Sequence, residues 1–178
     1  MNRLVAWGLA ILVSPLLCLV ALAILVSDGL PLLYIQSRLG QNRRPFRIYK
    51  FRTMRDGKVS RIGRLLRRSG LDELPQLYNI IKADMNIIGP RPLTTADIMR
   101  LGWQVADCDW RWSVKPGISG LAQLTRICSA RLSLRLDGHY VSHKSWRYDL
   151  RILLGSLSIP CKGRKKAAKT ASALKKRL

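Results

Sequence analysis

The stretch Ser69-Gly-Leu-Asp-Glu-Leu-Pro-Gln-Leu-Tyr-Asn-Ile-Ile-Lys82 carries two adjacent acids, Asp72 and Glu73, in a chain of 178 residues that has 32 basic and 10 acidic side chains. Pro75 is compatible only with the first turn of a helix. Ser69 stands three residues before Asp72, which is capping-box spacing. The stretch therefore predicts a helix that begins near Ser69, with both acids at its N-terminus, where the helix dipole stabilises negative charge.

Apolar side chains recur through this stretch at helical spacing and predict one buried face. They are Leu71, Leu74, Leu77, Tyr78 and Ile81. Asp72 has two interpretations at this point: a helix cap, or a functional carboxylate in a chain with few acids. Because Asp is a common cap, spacing alone favours the cap.

The composition indicates which partners the chain has. A net charge of +22 requires a polyanion: nucleic acid, anionic lipid or a phosphorylated substrate. The four cysteines are scattered, and with only two histidines they predict neither a zinc site nor a disulfide framework. They are expected to be reduced packing residues, and they are Cys18, Cys108, Cys128 and Cys161.

The N-terminal region from Leu4 to Val26 contains no charge and is long enough for a membrane helix. Ser14-Pro15 in its middle predicts a kink. Three interpretations are open: a cleaved signal peptide, a straight spanning helix, or a kinked re-entrant helix that enters and leaves the same leaflet. Positive charge on both flanks, at Arg3 and throughout the following body, favours the re-entrant helix.

The region between this segment and Ser69 reads as strands and one helix. Phe46–Met54 alternates in period two and predicts a strand with Lys50 and Arg52 on one face, where they could reach a phosphate or line a solvated edge. Ser60 predicts a cap for a basic helix over Arg61–Arg68 that Gly70 stops. The remaining expectations are a strand over 32–36, a polar connection over 38–45 and a turn over 55–58.

Downstream, Gly89-Pro-Arg-Pro92 fixes the backbone around Arg91 and favours contact between its guanidinium and an anion. Lys115–Gly120 predicts a turn, either a connection or a place where the backbone approaches a ligand. The other expectations are a helix over 93–112, a short strand over 121–125, a last helix over 146–157 and a basic tail over 161–178.

Four stretches, in order, resemble the bacterial sugar transferases, the monotopic phosphoglycosyl transferases. They are KFRTM (50–54), GRLLRRSGLDELPQLYNIIKADM (63–85), IIGPRP (87–92) and KPGISGLAQ (115–123). The apolar segment with its Ser14-Pro15 break matches as well. The resemblance implies an α+β architecture: a re-entrant, kinked membrane helix over 1–29, a small and mostly helical cytosolic catalytic domain with short strands over 30–160, and a tail over 161–178.

The resemblance also implies an activity. The expected enzyme transfers a sugar 1-phosphate from a nucleoside diphosphate sugar, UDP-linked in the usual case, to undecaprenyl phosphate and releases UMP. Asp72 is expected to be the nucleophile that forms a covalent phosphosugar intermediate, and Asp72 and Glu73 are expected to bind Mg²⁺. The expected substrate-binding residues are Lys50, Arg52, Arg67, Arg91 and Gly117.

The resemblance further places the enzyme at the cytoplasmic face of a bacterial cytoplasmic membrane, in contact with anionic lipid. Nucleic acid is not an expected partner, because the basic clusters contain no aromatic residues on which bases could stack. The oligomeric state is open, a homodimer among the options. A non-catalytic scaffold of polysaccharide assembly is the alternative function, and the sugar is not specified.

The chain departs from the family pattern at several positions. Ala83 replaces the usual Gly of a Lys-Gly-Asp turn, Asn86 replaces Ser and Leu121 replaces a common Trp. No Phe-Asp pair follows Arg3. These departures affect loop shape and sugar specificity, whereas the Asp-Glu pair is intact.

Overall fold

A computed structural model describes residues 2–103, 106–124 and 129–157. Two compact units are present, one of Met1–Arg38 with Pro45–Met85 and one of Leu39–Arg44 with Asn86–Leu178. Cys128, Cys161 and the predicted basic tail lie outside the described residues. The elements are α1 (Asn2–Asp28), β1 (Leu33–Leu39), β2 (Pro45–Phe51), β3 (Met54–Arg55), β4 (Lys58–Val59), α2 (Arg61–Ser69), α3 (Leu77–Ile81), β5 (Asn86–Ile88), α4 (Thr95–Leu101), β6 (Gly117–Ser119), α5 (Leu121–Leu124), α6 (Ala130–Ser142) and α7 (Trp146–Leu157).

Helix α1 continues through Pro15. Proline has no N–H, so the carbonyl of Ile11, one turn earlier, loses its helical donor. The Ser14 hydroxyl donates to that carbonyl at 2.8 Å and replaces the missing bond. Arg3–Asp28 has a mean hydropathy of 3.0 and is long and apolar enough to cross a membrane. The helix is thus continuous by its hydrogen bonds, and the re-entrant path remains a prediction.

One side of α1 belongs to the core of the first unit. Val20 and Ile24 are buried against Phe51 and Leu66. The rest of the helix surface is apolar and exposed, and the most exposed large side chains are Leu4, Ile11, Leu12, Leu19 and Val26. Only a narrow stripe of α1 is therefore covered by protein.

The strand predicted over 46–54 is shorter than expected. β2 pairs with β1 and ends at Phe51. Met54 then begins a separate antiparallel pair in which it lies opposite Val59, with the predicted turn between them. Thr53 lies in the break between β2 and β3. Its carbonyl accepts from the Ser60 N–H at 3.2 Å, so this carbonyl is bonded outside the β1–β2 ladder.

Helix α2 forms as predicted. The Ser60 hydroxyl accepts from the Gly63 N–H at 2.9 Å, and Gly70, with a φ of 75°, ends the helix in the left-handed conformation. A Cβ on Gly63 would collide with the Thr53 carbonyl, which explains the glycine inside this helix. The predicted cap and stop are local signals, and the structure reproduces them.

The helix predicted to begin at Ser69 is wrong in its first half. Ser69 is the last residue of α2, and its hydroxyl donates back to the carbonyls of Leu65 and Leu66. Residues Leu71–Gln76 form a 3₁₀ helix, and the α-helix begins only at Leu77. The left-handed Gly70 separates Ser69 from the following turn, so Ser69 cannot cap it.

The buried face of this segment also differs from the prediction. Tyr78 is 53% exposed, whereas the polar side chains of Gln76 and Asn79 are buried. A 3₁₀ helix has three residues per turn, so the face is rotated relative to an α-helical pattern. Asn79 binds the neighbouring strand β2: its Oδ1 accepts from the Tyr49 N–H at 3.2 Å and its Nδ2 donates to the Arg47 carbonyl at 2.7 Å.

In the second unit, β5 and β6 form a parallel pair with Asn86 opposite Gly117. The turn predicted over 115–120 is therefore wrong, because a distant partner extends this backbone. The strand predicted over 121–125 is also wrong, since Leu121–Leu124 is helical. The helix predicted over 93–112 divides into α4 and the 3₁₀ helix Ala106–Ser113, because Gly102 ends α4 with a φ of 70°.

Helices α6 and α7 complete the second unit, the latter with the predicted bounds. Among its described residues, the unit has two groups of buried side chains. One comprises Ile88, Leu121, Leu136, Tyr140 and Ile152. The other comprises Leu93, Ile98, Trp103, Cys108 and Trp112.

Ala83 has a φ of 67°, in the left-handed region that favours glycine. The turn of the family pattern is kept, with alanine under backbone strain. We expect Ala83→Gly to raise the free energy of unfolding by about 1 kcal/mol. Ala96→Gly, at an exposed position inside α4, is the matched control and should lower the same free energy by about 0.5–1 kcal/mol. Thermal unfolding in detergent measures both, and a lower midpoint for Ala83→Gly would contradict the strain.

Candidate active site

Asp72 and Glu73 lie in the first turn of the 3₁₀ helix Leu71–Gln76. The Glu73 N–H donates to the Gly70 carbonyl at 3.2 Å, so the left-handed glycine sets where the two acids begin. The predicted position of both acids at the start of a helical segment is confirmed. The segment is a short 3₁₀ turn, so its dipole is weaker than that of the long α-helix predicted.

Lys50 joins the acids to strand β2. Its Nζ lies 2.6 Å from Glu73 Oε1, and both side chains are largely buried. A partly buried carboxylate needs such a partner, since removal from water disfavours its charge. One oxygen of Glu73 is therefore committed to the lysine.

Asp72 differs from Glu73 in its electrostatics. Burial raises the pKa of the Asp72 carboxyl above its ordinary value, and the adjacent Glu73 charge raises it further. Lys50 and Arg67 act in the opposite direction and only partly offset the rise. The result is a more basic carboxylate than an ordinary aspartate, which is a property of a good nucleophile or of a proton acceptor.

Arg67 and Thr53 belong to the same neighbourhood. Arg67 extends from α2, and its Nε donates to the Thr53 hydroxyl at 2.9 Å. Its other guanidinium nitrogens form no hydrogen bond with any described residue. This arrangement leaves donors for an anion and is compatible with the predicted role of Arg67 in substrate binding.

Arg52 has a different environment from the one its strand position suggested. Its Nη1 donates to the Leu30 carbonyl at 2.7 Å, and its Nη2 donates to the carbonyls of Asp28 and Gly29 at 2.6 and 2.7 Å. These carbonyls belong to the last residue of α1 and to the two residues after it, where helical carbonyls lack partners. Arg52 therefore ties the end of α1 to β2, and its substrate contact stays a prediction.

Arg91 and Gly117 belong to the second unit. The Arg91 side chain is exposed, and its guanidinium bonds to no described residue. The Gly117 N–H donates to the Pro90 carbonyl at 3.0 Å. A Cβ on Gly117 would collide with the backbone of Gly89, so the glycine is required by this close approach.

Comparison with the profiles of known protein families identifies the family of this chain. The profile of the bacterial sugar transferase family matches residues 1–163 of the chain. The chain belongs to the bacterial sugar transferases. The match confirms the resemblance and includes α1, the acid pair and the Gly-Pro-Arg-Pro loop.

Several curated relatives of this bacterial sugar transferase have names that state an activity. A UDP-N-acetylgalactosamine-undecaprenyl-phosphate N-acetylgalactosaminephosphotransferase of Aeromonas hydrophila is 33% identical over 82% of the chain and 39% of its own length. A UDP-glucose:undecaprenyl-phosphate glucose-1-phosphate transferase of Caulobacter vibrioides is 35% identical over 82% of the chain and 62% of its own length. An exopolysaccharide production protein of Rhizobium leguminosarum bv. phaseoli is 34% identical over 83% of the chain and 86% of its own length. The chain thus spans less than two thirds of the first two relatives.

Sequence reasoning missed two polar residues that shape the site of this transferase. Thr53 orients Arg67, and buried Asn79 fixes α3 to β2, the strand that carries Lys50. Both residues stand inside the quoted motifs, in KFRTM and LPQLYN. Asn79 lies outside the apolar stripe predicted for this segment, so its spacing gave no signal that it would be buried.

The donor set is compatible with magnesium. Mg²⁺ in phosphoryl-transfer sites commonly takes one or two carboxylates together with substrate phosphates. The second oxygen of Glu73 and the Asp72 carboxylate supply such ligands, whereas no group of three acids, histidines or cysteines occurs within 2–103, 106–124 and 129–157. The residues fit a metal that the substrate helps to bind.

The raised pKa of Asp72 gives a prediction on stability. A carboxyl whose pKa is higher in the fold than in the unfolded chain stabilises the fold only while protonated, so stability falls as the pH rises through the folded pKa. We expect Asp72→Asn, which cannot ionise, to raise the thermal midpoint at about pH 7 by a few degrees. The difference should vanish below about pH 4, where the wild-type carboxyl is also neutral.

The control for this measurement is Asp56→Asn. Its side chain is 90% exposed in the turn between β3 and β4, so the midpoint should not change. A midpoint that falls on Asp72→Asn at neutral pH would contradict a carboxylate disfavoured by burial.

Proposed function

We propose that this bacterial sugar transferase moves a sugar 1-phosphate from a UDP-sugar to undecaprenyl phosphate and releases UMP. The observation that carries the proposal is the half-buried Asp72, whose pKa is raised beside a Glu73 already paired with Lys50. The names of the Aeromonas and Caulobacter relatives support the substrate classes. The sugar remains open, because those two relatives are named for different sugars.

In the proposed mechanism, an Asp72 carboxylate oxygen attacks the phosphorus that carries the sugar. A bond forms between that oxygen and phosphorus, and the bond from phosphorus to the bridging oxygen breaks, so UMP leaves with the electron pair. A phosphate oxygen of undecaprenyl phosphate then attacks the same phosphorus and releases Asp72. The products are undecaprenyl diphosphate sugar and the regenerated carboxylate.

Positive charge in the site reduces the repulsion between an anionic nucleophile and an anionic diphosphate. Lys50 pairs with Glu73, and Arg67 offers a phosphate oxygen the guanidinium nitrogens that bond to no described residue. Arg91, exposed on its loop, is proposed to bind the diphosphate as well. Mg²⁺ bound by Asp72 and Glu73 would neutralise charge on the departing phosphate.

We propose that α1 is re-entrant and lies in the cytoplasmic leaflet. At one end of the helix, Arg3 Nε donates to the Ile81 carbonyl at 2.9 Å. At the other end, Arg52 binds the carbonyl of the last helical residue and those of the two residues that follow it. Both Ile81 and Arg52 belong to the first unit, whereas a straight helix of this length would separate its ends by roughly 40 Å, more than the bilayer core. The two contacts support ends on one side of the membrane.

The covalent intermediate gives a direct test. Enzyme in lipid nanodiscs is incubated with UDP-sugars labelled in the sugar-linked phosphate, without lipid acceptor. We expect wild type to gain the mass of one sugar phosphate and Asp72→Asn to gain none, with Asp56→Asn as the control that still reacts. Label on the Asn variant would exclude Asp72 as nucleophile. No UMP from wild type with any UDP-sugar and acceptor would favour the scaffold alternative.

The path of α1 is tested by cysteine accessibility in a background without native cysteines. We expect Asn2→Cys to react with a membrane-impermeant maleimide only in inverted vesicles, as does Asp56→Cys in the catalytic part. A straight spanning helix would place the two cysteines on opposite sides. Labelling of Asn2→Cys in intact spheroplasts, with Asp56→Cys protected, would therefore contradict the re-entrant path.

A further inference from the structure

The loop Gly89–Pro92 has few backbone hydrogen bonds of its own, because two of its four residues are prolines without an N–H. Its carbonyls are bonded from elsewhere in the second unit. The Gly117 N–H donates to the Pro90 carbonyl at 3.0 Å. The next carbonyl, that of Arg91, accepts from Arg111 Nη2 at 2.7 Å. The backbone that carries the exposed Arg91 is thus held by a side chain.

Arg111 is fixed on several sides. It is 3% exposed, and its Nε donates to Asp137 Oδ2 at 2.8 Å, where the Asp137 side chain is equally buried. The ring centroids of Trp103 and Trp112 lie 5.4 and 5.0 Å from its guanidinium carbon. A guanidinium held by a carboxylate and two indole rings has little rotational freedom, so the direction of Nη2 is set in advance.

Stability alone explains this pair poorly. Buried ion pairs lose much of their attraction to desolvation, and apolar replacements of similar volume are often as stable. Burial raises the pKa of the Asp137 carboxyl even with Arg111 beside it, which reflects that cost. An arginine can bind a carboxylate through one nitrogen and a carbonyl through another, whereas a lysine has no such planar fork. Arg111 makes both kinds of bond: its Nε donates to Asp137, and its Nη2 donates to the Arg91 carbonyl.

We propose that Arg111, locked by Asp137, is a positioning residue that fixes the backbone of Arg91, the residue proposed to bind the phosphates of the nucleotide sugar. The inference rests on the proposed function, in which Arg91 binds the diphosphate. Arg111 itself is buried and does not contact substrate. It acts by fixing the Arg91 carbonyl, and so the backbone from which the Arg91 side chain extends.

The kinetic test uses the full chain in nanodiscs with the UDP-sugar that wild type turns over best. Arg111→Lys keeps a cation beside Asp137 but loses the bond to the Arg91 carbonyl. We expect KM for the nucleotide sugar to rise about tenfold, with kcat changing less than about threefold. Asp137→Asn, which frees the guanidinium, should raise KM in the same direction and serves if the lysine variant folds poorly.

A double-variant cycle separates positioning from a merely structural role. If Arg111 acts through Arg91, adding Arg111→Lys to Arg91→Ala leaves KM at the Arg91→Ala value. If the effects of the two substitutions on KM instead multiply, to about a hundredfold in the double variant, the inference is overturned. An unchanged KM in Arg91→Ala would overturn it as well. Arg43→Lys is the matched control, because Arg43 faces the same Trp112 ring but pairs with exposed Asp109, and its KM should equal wild type.

Hydrogen exchange provides a readout that does not depend on activity. In Arg111→Lys, the amides of Gly89 and Arg91 should exchange about tenfold faster than in wild type, while those of α2 stay unchanged. If wild type transfers no sugar phosphate, the proposed function fails, and faster loop exchange still supports the fixing of the loop by Arg111. Loop exchange equal to wild type would overturn the inference whatever the activity.

Discussion

The ion pair between Lys50 and Glu73 is the interaction on which the arrangement of the candidate active site depends. Two adjacent carboxylates in a half-buried turn repel each other, and the Lys50 ammonium, 2.6 Å from Glu73, offsets only part of this cost. Asp72 is left with a raised pKa, since burial and the Glu73 charge exceed the opposing effects of Lys50 and Arg67. The two neighbouring acids therefore differ in their contacts: Glu73 is paired with a lysine, whereas the Asp72 carboxyl keeps a pKa above its ordinary value.

Several polar and charged side chains of this protein form hydrogen bonds to backbone groups. Arg52 donates to three carbonyls at the end of α1, Asn79 bonds to the backbone of β2, and Arg111 donates to the Arg91 carbonyl. Each of these side chains supplies a bond where a helix end, a strand edge or a proline leaves a backbone group unpaired. The 32 basic side chains are therefore an upper bound on the cations available for phosphate. Exposed Arg91 is among those that remain, as are the nitrogens of Arg67 that bond to no described residue.

Local signals in the sequence predicted what is local in the structure. Ser60 and Gly70 set the ends of α2, and α7 has its predicted bounds. The acid pair and its family were found from motifs, yet the partner of Glu73 depends on β2, and the pairing of β5 with β6 joins segments about thirty residues apart. Periodicity cannot detect such pairs. It also gave an α-helix where the left-handed Gly70 imposes a 3₁₀ turn.

Under the proposed function, the height of Asp72 relative to the lipid phosphate depends on how α1 is attached to the first unit. A nucleophile on a soluble unit with a flexible tether would meet the lipid phosphate at many heights above the bilayer. Here Arg3 and Arg52 fasten both ends of α1 to the unit that carries Asp72, while Leu12 and Val26 on its outer surface face away from protein at 75% and 80% exposure. If α1 lies in the membrane as proposed, burying that surface in lipid would set the depth of the whole unit, because the apolar area resists withdrawal into water. Under the proposed function, the same apolar helix that anchors the protein therefore also determines the height of Asp72 relative to the lipid phosphate.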